Sequence, residues 1–309
     1  MTSQSKKIIK RLYKYINMNK IKMAKTVSTL TQPPIICIPL FLIISYVISL
    51  ENGVLNLNKF ITSESISLVF TSILPMAIIL LWAKIINTDN DISNRQDRYV
   101  PLIVGIVSYF IGVLVSLFLN QDNFLTLLLL CYAVNTGVVL LITVRWKISV
   151  HTTGISGPIA ALILLLGPAG AAIAIIYPIV IWSRVLLKKH TLAQAICGGV
   201  QGFFLTVLEM YLFINVLNMP VEGMQSLVMS ILFIMAIIAT PVILGILSYS
   251  SLKRTREIFY ISTIIILIAF LVFAPMEVTA IYVLISVTSI LISDYAGEDF
   301  VWFRVLKSS

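Results

Sequence analysis

The chain has two histidines, and both stand beside a serine and basic residues. An imidazole has an ordinary pKa near 6.5, so around neutral pH it can attack as a nucleophile or donate a proton as a general acid. Lysine and arginine bind phosphate, and the planar guanidinium does so through paired hydrogen bonds. This combination predicts phosphoryl transfer through a phosphohistidine, without a metal or other cofactor. The two stretches are KISVH, with Lys147, Ser149 and His151, and SRVLLKKH, with Ser183, Arg184 and His190.

A third polar stretch, NTDNDISNRQDRYVP at residues 87–101, carries Arg95 and Arg98. Two apolar runs separate it from KISVH, and two more separate KISVH from SRVLLKKH. If each run crosses a membrane once, all three stretches return to the same side and can form one site. The helices that follow His151 and His190 would then direct their N-terminal amides at the same anion.

SRVLLKKH resembles the third motif of the type 2 phosphatidic acid phosphatase superfamily, S-R-x5-H-x3-D, which includes lipid phosphate phosphatases and haloperoxidases. Ser183, Arg184 and His190 match this motif in type and spacing, while Gln194 stands at the aspartate position. The KISxH and HTxxQ forms found here resemble a membrane branch of the family even more closely. The resemblance covers residues 84–217.

The other two motifs of the family match in part. The second, P-S-G-H, keeps its serine and histidine as Ser149 and His151, but its proline and glycine are replaced. The first, K-x6-R-P, is represented by Arg98, with the proline displaced by two residues and Asp91 where the lysine is expected. The candidates to replace that lysine are Arg95 and Lys84.

The resemblance implies a role for each matched residue. His190 would be the nucleophile, and His151 the general acid that protonates the leaving oxygen. Gln194 would orient the ring of His190 in place of the aspartate, without a charge to stabilise an imidazolium. Asp91 or Asp97 could supply that charge instead. The implied phosphate ligands are Arg184, Ser149, Lys147, Arg98, Arg95 and Ser183, and no metal ligand is implied.

The composition places these stretches in a membrane protein. Of the 309 residues, 59% are hydrophobic and 11% are charged, whereas a soluble domain carries roughly 25% charged residues. Lipid forces membrane-crossing runs of about 20 apolar residues to be helical. We expect an all-α polytopic transmembrane helix bundle of about ten spans, and the resemblance implies a six-helix-type phosphatase core followed by extra C-terminal helices. The predicted spans are 33–50, 65–86, 101–119, 123–144, 152–167, 169–187, 191–217, 224–248, 258–275 and 277–293.

Basic residues divide the predicted loops between two faces. Of the 22 lysine and arginine residues, all but Lys59 fall on the face that collects both termini and the three polar stretches. Basic loops stay in the cytoplasm. We therefore expect a multi-pass protein of the cell membrane with both termini and the polar stretches inside. The opposite face would collect 51–64, 120–122, the GPAG turn and 218–223.

The sequence divides into three regions. Residues 1–32 are a basic tail whose apolar residues recur at helical spacing, which is typical of an amphipathic helix on anionic lipid; a solvated tail that sets topology fits as well. Residues 33–223 would hold the phosphatase-like core, and residues 224–309 further spans and a short C-terminal tail. Within the core, Glu209 lies in an apolar run, about 28 Å along the helix from His190. We expect it to have a structural partner or to reach towards the outer face.

The leading hypothesis is an integral membrane lipid phosphate or prenyl pyrophosphate phosphatase, a metal-independent hydrolase of phosphoric monoesters or diphosphates. Its partners would be that substrate and the bilayer, with no nucleic acid and with the oligomeric state open. A catalytically weak or inactive lipid-phosphate binding or transport protein is one alternative, favoured by Gln194. A Mg²⁺-dependent intramembrane prenyltransferase is another, suggested by NDISNRQD at residues 90–97. Such enzymes need a second Asp-rich loop, and SRVLLKKH holds no carboxylate at that place.

Overall fold

The structure, a computed structural model, describes residues 18–89 and 91–215. This part of the chain is almost entirely helical, with one short antiparallel hairpin that turns through Asn52 and Gly53 at positive φ. The elements are α1 (Met18–Leu30), α2 (Pro33–Ile48), β1 (Leu50–Glu51), β2 (Val54–Leu55), α3 (Leu57–Ile85), α4 (Tyr99–Phe118), α5 (Asn123–Thr143), α6 (Val150–Leu166), α7 (Ala169–Leu186) and α8 (Leu192–Asn215).

Five helices of the described part are long and apolar enough to cross a membrane, and the bent pair α1–α2 raises the number to six. The five are α3, α4 with its preceding 3-10 turn, α5, α7 and α8, while α6 is shorter at 17 residues. An all-helical protein with membrane-length apolar helices is what the composition predicted. The predicted spans 224–248, 258–275 and 277–293 lie outside the described residues.

Each span predicted between residues 33 and 217 coincides with a helix or with the described part of one, but α3 begins earlier than predicted. It starts at Leu57 rather than at residue 65, because the side chain of Asn56 accepts a hydrogen bond from the Lys59 N–H at 3.2 Å and caps the helix. Hydropathy places residues 57–64 in a loop, since this first part of α3 is polar. The correction lengthens α3 and adds no further helix.

Two of the predicted loop groupings have direct contacts in the structure. The ammonium of Lys59 lies 3.3 Å from the Asp122 carboxylate, and Ser63 donates to the side chain of Gln121 at 3.0 Å, so segments 51–64 and 120–122 lie together. The three polar stretches also meet, through Arg184, Asp91 and His151. The assignment of either group to a side of the membrane stays a prediction.

Helix α6 lies at the centre of the described bundle and is buried along almost its whole length. A helix that is apolar on all sides belongs in a core. Its most extensive contact is with α8, where glycines allow close approach. A Cβ built on Gly198 would lie 2.6 Å from the Ser149 carbonyl oxygen, and one on Gly202 would lie 2.7 Å from that of Thr153. Small residues four positions apart are a common way for membrane helices to pack closely.

A buried polar cluster ties α5 to α8. The amide of Asn135 donates to Thr206 Oγ1 and to a Glu209 carboxylate oxygen, each at 3.1 Å. Its carbonyl oxygen accepts from Gln201 at 2.9 Å. The sequence predicted a structural partner for Glu209 or contact with the outer face, and the partner is Asn135.

Replacing Gly202 with leucine should destabilise the α6–α8 contact, because the side chain would collide with the backbone of α6. Overpacking of this kind costs about 1–3 kcal/mol. Thermal unfolding of the purified protein in detergent, followed by the loss of helical circular dichroism, would show a lower midpoint.

The matched control is Gly137→Leu, because a Cβ at Gly137 meets nothing within 4 Å. Equal midpoints for the two variants would show that close packing at Gly202 does not stabilise the bundle.

Candidate functional site

Arg184, in the last turn of α7, joins the polar stretches to the start of the chain. Its side chain is fully buried, and its Nη1 donates to both oxygens of the Asp91 carboxylate at 3.0 and 2.9 Å. The same nitrogen donates to Ser28 Oγ at 2.5 Å and lies 3.5 Å from Nε2 of His151. One guanidinium thus connects α1, the loop before α4, and the facing ends of α6 and α7.

The other nitrogens of Arg184 point to a ligand. Its Nε and Nη2 are buried and have no hydrogen-bond partner among the described residues. Leaving a buried donor unpaired costs about 1–3 kcal/mol, and more on a charged group. Such groups are rare in folded proteins and call for an explanation. An anion with two or more oxygens would satisfy both donors.

His190 lies just before α8 with one ring nitrogen paired and the other free. Its Nδ1 is 3.3 Å from the carbonyl oxygen of Lys147. A carbonyl oxygen only accepts, so Nδ1 carries the proton and Nε2 keeps its lone pair. That Nε2 is buried without a partner among the described residues. Burial, followed by the nearby charges of Arg98 and Arg184, lowers the pKa of His190 to about 2. The ring is therefore neutral at neutral pH, which is the form a nucleophile requires.

The orienting contact expected from Gln194 to His190 is corrected by the structure. The side-chain oxygen of Gln194 accepts from the Thr191 N–H at 3.1 Å, and Thr191 Oγ1 accepts from the Gln194 N–H at 3.2 Å. This reciprocal pair is a capping box at the start of α8. The side chain of Gln194 is thus used for helix capping, and the carbonyl oxygen of Lys147 accepts the hydrogen bond from His190 that was expected to go to Gln194.

His151 lies in the first turn of α6 and faces Asp91. Its Nε2 is 3.5 Å from an Asp91 carboxylate oxygen. The alternative carboxylate expected from the sequence is therefore beside His151, whereas His190 has a carbonyl. Since Asp91 also pairs with Arg184, a single carboxylate positions the second histidine and the buried arginine.

Two further predicted phosphate ligands, Arg98 and Lys147, belong to the same cluster. Arg98 is buried, with its Nε donating to the Ile92 carbonyl at 2.8 Å and its Nη1 near the Ile148 carbonyl at 3.3 Å. Lys147 is half-buried, and burial, followed by the charges of Arg98 and Arg184, lowers the pKa of its ammonium to about 8. These cations exceed the negative charge of Asp91, so the cluster favours an anion.

The remaining three predicted ligands have local roles in the structure. Ser149 caps α6 by accepting from the Thr152 N–H at 3.4 Å. The hydroxyl of Ser183 donates to a carbonyl of its own helix at 2.9 Å. Arg95 donates to the Val144 carbonyl at 2.6 Å and so fastens its loop to the end of α5. In this structure none of the three is directed at Arg184 or the histidines by a hydrogen bond.

Three residues in contact with the polar stretches had little or no motif signal in the sequence. Ser28 falls in the predicted tail and gives no motif signal. Lys189 resembles a topology-setting charge, but its ammonium donates to Ser93 Oγ at 2.5 Å and to Asp89. Burial alone would raise the pKa of Asp89, yet the hydrogen bonds from Lys189 and Ser93 lower it. Asp91 was visible only as a departure from the expected lysine.

A cavity leads from this cluster into the bundle between α2, α3, α4, α5, α6 and α8. Its mouth is polar and includes two of the cluster's charged groups and one histidine, while its body is mostly apolar. The site is thus a buried anion cluster continuous with an internal apolar space. Lining residues at the mouth are Asp91, Arg98 and His151; those of the body include Pro33, Leu102, Gly105, Val139 and Gly154, and the deepest are Tyr109, Tyr132 and Thr206.

The lowered pKa of Lys147 predicts a pH dependence of anion binding. The ammonium is charged below pH 8 and neutral above it, so its attraction for an anion is present below about pH 8 and lost as the pH rises through that value. Sulfate has the tetrahedral shape of phosphate and keeps its double negative charge throughout this range. Sulfate affinity, measured by isothermal titration calorimetry, should fall above pH 8.

The control is Lys147→Gln, which has no charge to lose. Its sulfate affinity should be weaker at pH 7 than that of the parent and nearly constant between pH 7 and pH 9. An equally steep fall in this variant would assign the titration to another group.

Comparisons with known proteins give no family assignment for this chain. No family model, no curated protein and no solved structure matches it. The site is therefore interpreted from its own residues and distances.

Proposed function

We propose that the protein is an integral membrane phosphatase that hydrolyses a lipid phosphate or a prenyl pyrophosphate through a phosphohistidine. In this proposal residues 33–223 hold a core of the type 2 phosphatidic acid phosphatase kind. The observation that carries it is the pair of buried, unpartnered groups in one cation cluster: Nε2 of His190, and Nε with Nη2 of Arg184. The lone pair of His190 Nε2 is available for nucleophilic attack, and the two Arg184 nitrogens can donate a pair of hydrogen bonds to a phosphate.

The first half-reaction transfers the phosphoryl group to the enzyme. Oxygens of the phosphate accept hydrogen bonds from Arg184, with Arg98 and Lys147 adding positive charge. The Nε2 lone pair of His190 attacks phosphorus, and the bond from phosphorus to the ester oxygen breaks. His151 gives its proton to that oxygen, so the lipid leaves as an alcohol, or as a monophosphate if the substrate is a pyrophosphate.

The second half-reaction releases phosphate. Neutral His151 takes a proton from water, the water oxygen attacks phosphorus, and the bond to Nε2 of His190 breaks. Inorganic phosphate departs and the starting protonation states return. Burial, followed by the charges of Arg184 and Arg98, holds the pKa of His151 well below its usual value. The negative charge of a bound phosphate, together with Asp91 at 3.5 Å, would favour the imidazolium form that the first step requires.

Two other functions fit less well. A protein that only binds lipid phosphate was favoured by the absence of an aspartate at Gln194, but the Lys147 carbonyl supplies an acceptor for His190. A Mg²⁺-dependent prenyltransferase would use the Asp-rich loop for metal. Here Asp89 pairs with Lys189 and Asp91 with Arg184. A requirement for Mg²⁺ would favour the prenyltransferase.

The direct test is phosphate release by detergent-purified protein from a panel of lipid phosphates and prenyl pyrophosphates, in the presence of a chelator. His190→Ala should abolish release because no nucleophile remains. His151→Ala should slow it about 10²–10⁴-fold, the usual contribution of a general acid. With substrate carrying labelled phosphate, His151→Ala should accumulate label that stays on the protein in alkali and is lost in acid.

The matched control is Lys188→Asn, an exposed neighbour at positive φ, a conformation that asparagine tolerates. It should keep the parental rate. Release by His190→Ala at the parental rate, or no release by the parent from any substrate, would contradict the proposal.

The proposal includes the face on which the site works. The predicted face that collects the polar stretches and both termini carries all but one of the 22 lysine and arginine residues, which favours the cytoplasmic side. Lys188→Cys places a thiol on the exposed turn before His190. In a Cys197→Ser background, an impermeant maleimide should label it only after the cells are permeabilised, because Cys37 and Cys131 are buried. Labelling in intact cells would place the site outside.

A further inference from the structure

The cavity that opens at the cation cluster has a polar mouth and a closed inner end. Tyr109 and Tyr132 line its deepest part. The Tyr132 ring packs edge-on against Tyr109 and Phe41, each with ring centroids 5.4 Å apart, and its hydroxyl lies 3.3 Å from Cys37 Sγ. All four residues belong to one buried core cluster. We call Tyr109 and Tyr132 the floor of the cavity.

The cavity reaches far into the bundle but is narrow. Tyr109 follows Arg98 by eleven residues of helical chain, so the floor lies about 16 Å below the mouth. The cavity volume is about 130 Å³, which over this length of about 16 Å is a channel one hydrocarbon chain wide. A Cβ at Gly154 would lie 2.8 Å from Pro33, so α2 and α6 touch along one side. Such a space is long enough for a hydrocarbon chain and too small for two side by side.

Three polar side chains of the inner wall are paired within the protein. Asn135 and Thr206 hydrogen-bond to each other, and Asn135 also binds Gln201 and Glu209. The Thr153 hydroxyl donates to the Gly198 carbonyl at 2.9 Å. These three side chains therefore need no polar ligand, in contrast to the unpartnered groups of the cation cluster.

We propose that this cavity binds the single hydrocarbon chain of a lipid whose phosphate sits in the cation cluster, and that the floor sets the longest chain it accepts. The proposal rests on the proposed function for the reaction at the phosphate. It narrows the substrate to lipids with one chain on the phosphate-bearing group. Two-chain phosphatidates would be excluded by volume.

Gly105 allows the chain pocket to be shortened without disturbing the fold. It lines the cavity on α4, and a Cβ there would lie 3.6 Å from the Tyr109 ring, an ordinary contact distance. Gly105→Leu would therefore place its side chain in the cavity, one turn above the floor. Tyr109→Leu removes part of the floor and should lengthen the pocket. Gly137→Leu is the matched control, because Gly137 does not line the cavity and has no atom within 4 Å of its Cβ.

The experiment measures binding of butyl, octyl, dodecyl and hexadecyl phosphonates, which cannot be hydrolysed, to parent and variants in one detergent. The ratio of variant to parent affinity cancels the partition of each ligand into micelles. Affinity in the parent should rise by up to about fourfold per buried methylene and then level off at the floor. Gly105→Leu should lose at least tenfold for dodecyl phosphonate, keep butyl phosphonate unchanged, and level off at a shorter chain. Tyr109→Leu should level off at a longer chain, and Gly137→Leu should match the parent.

The same panel separates this proposal from the proposed function. A chain-length limit that Gly105→Leu shortens supports the chain pocket, even if no lipid phosphate is hydrolysed. Phosphate release without any shift of the limit in Gly105→Leu or Tyr109→Leu would overturn the chain pocket and leave the phosphatase standing. An equal loss of affinity for dioleoyl phosphatidate and for dodecyl phosphonate in Gly105→Leu, each relative to the parent, would also overturn it, because the cavity has room for one chain. Farnesyl and dodecyl phosphates, compared as substrates, distinguish an isoprenoid from an alkyl chain.

Discussion

The buried ion pair between Arg184 and Asp91 is the interaction on which the site depends. A guanidinium removed from water is strongly destabilising unless it meets a counter-charge with good geometry. Asp91 supplies that charge through both oxygens, and Ser28 adds a further acceptor. Asp91 lies in the loop before α4 and Ser28 in α1. All of these contacts can therefore form only when that loop and α1 are both packed against α7. The same pair leaves two guanidinium nitrogens facing inward for a ligand.

The packing of α6 against α8 fixes the second geometric requirement, the relation between the two histidines. His151 begins α6 and His190 precedes α8, so the closeness of the two helices governs the separation of their starting turns. Gly198 permits that closeness near the site. A main-chain hydrogen bond also connects the two helix starts, because the Ser149 N–H donates to the Gln194 carbonyl oxygen at 3.2 Å. The two histidines of the proposed mechanism are thus positioned by main-chain contacts between helix ends.

Hydropathy was sufficient to predict α2 to α8, because lipid leaves an apolar run little choice of conformation. It did not predict α1, which lies in the basic tail that the sequence left open between an amphipathic helix and a solvated segment. It erred where a helix extends beyond the apolar run, as α3 does from its cap at Asn56. Motif spacing identified Arg184, His190 and His151. It could not predict that Arg184 pairs with Ser28 and Asp91, because side-chain contacts between distant segments leave no periodic pattern in the sequence. It misassigned Gln194, because an amide three positions after Thr191 can cap a helix as readily as it can orient a ring.

The acceptor that fixes the tautomer of His190 is a main-chain carbonyl, which every amino acid at position 147 would provide. Substituting the side chain at position 147 changes the charge of the cluster but leaves the acceptor in place. The residue at position 194 does not need to accept a hydrogen bond from His190, as an aspartate there would. Substitutions at these two positions can therefore alter how strongly the cluster attracts anions without altering which ring nitrogen of His190 keeps its lone pair. Anion affinity depends on the side chains of the cluster, while the tautomer of His190 depends on the path of the backbone.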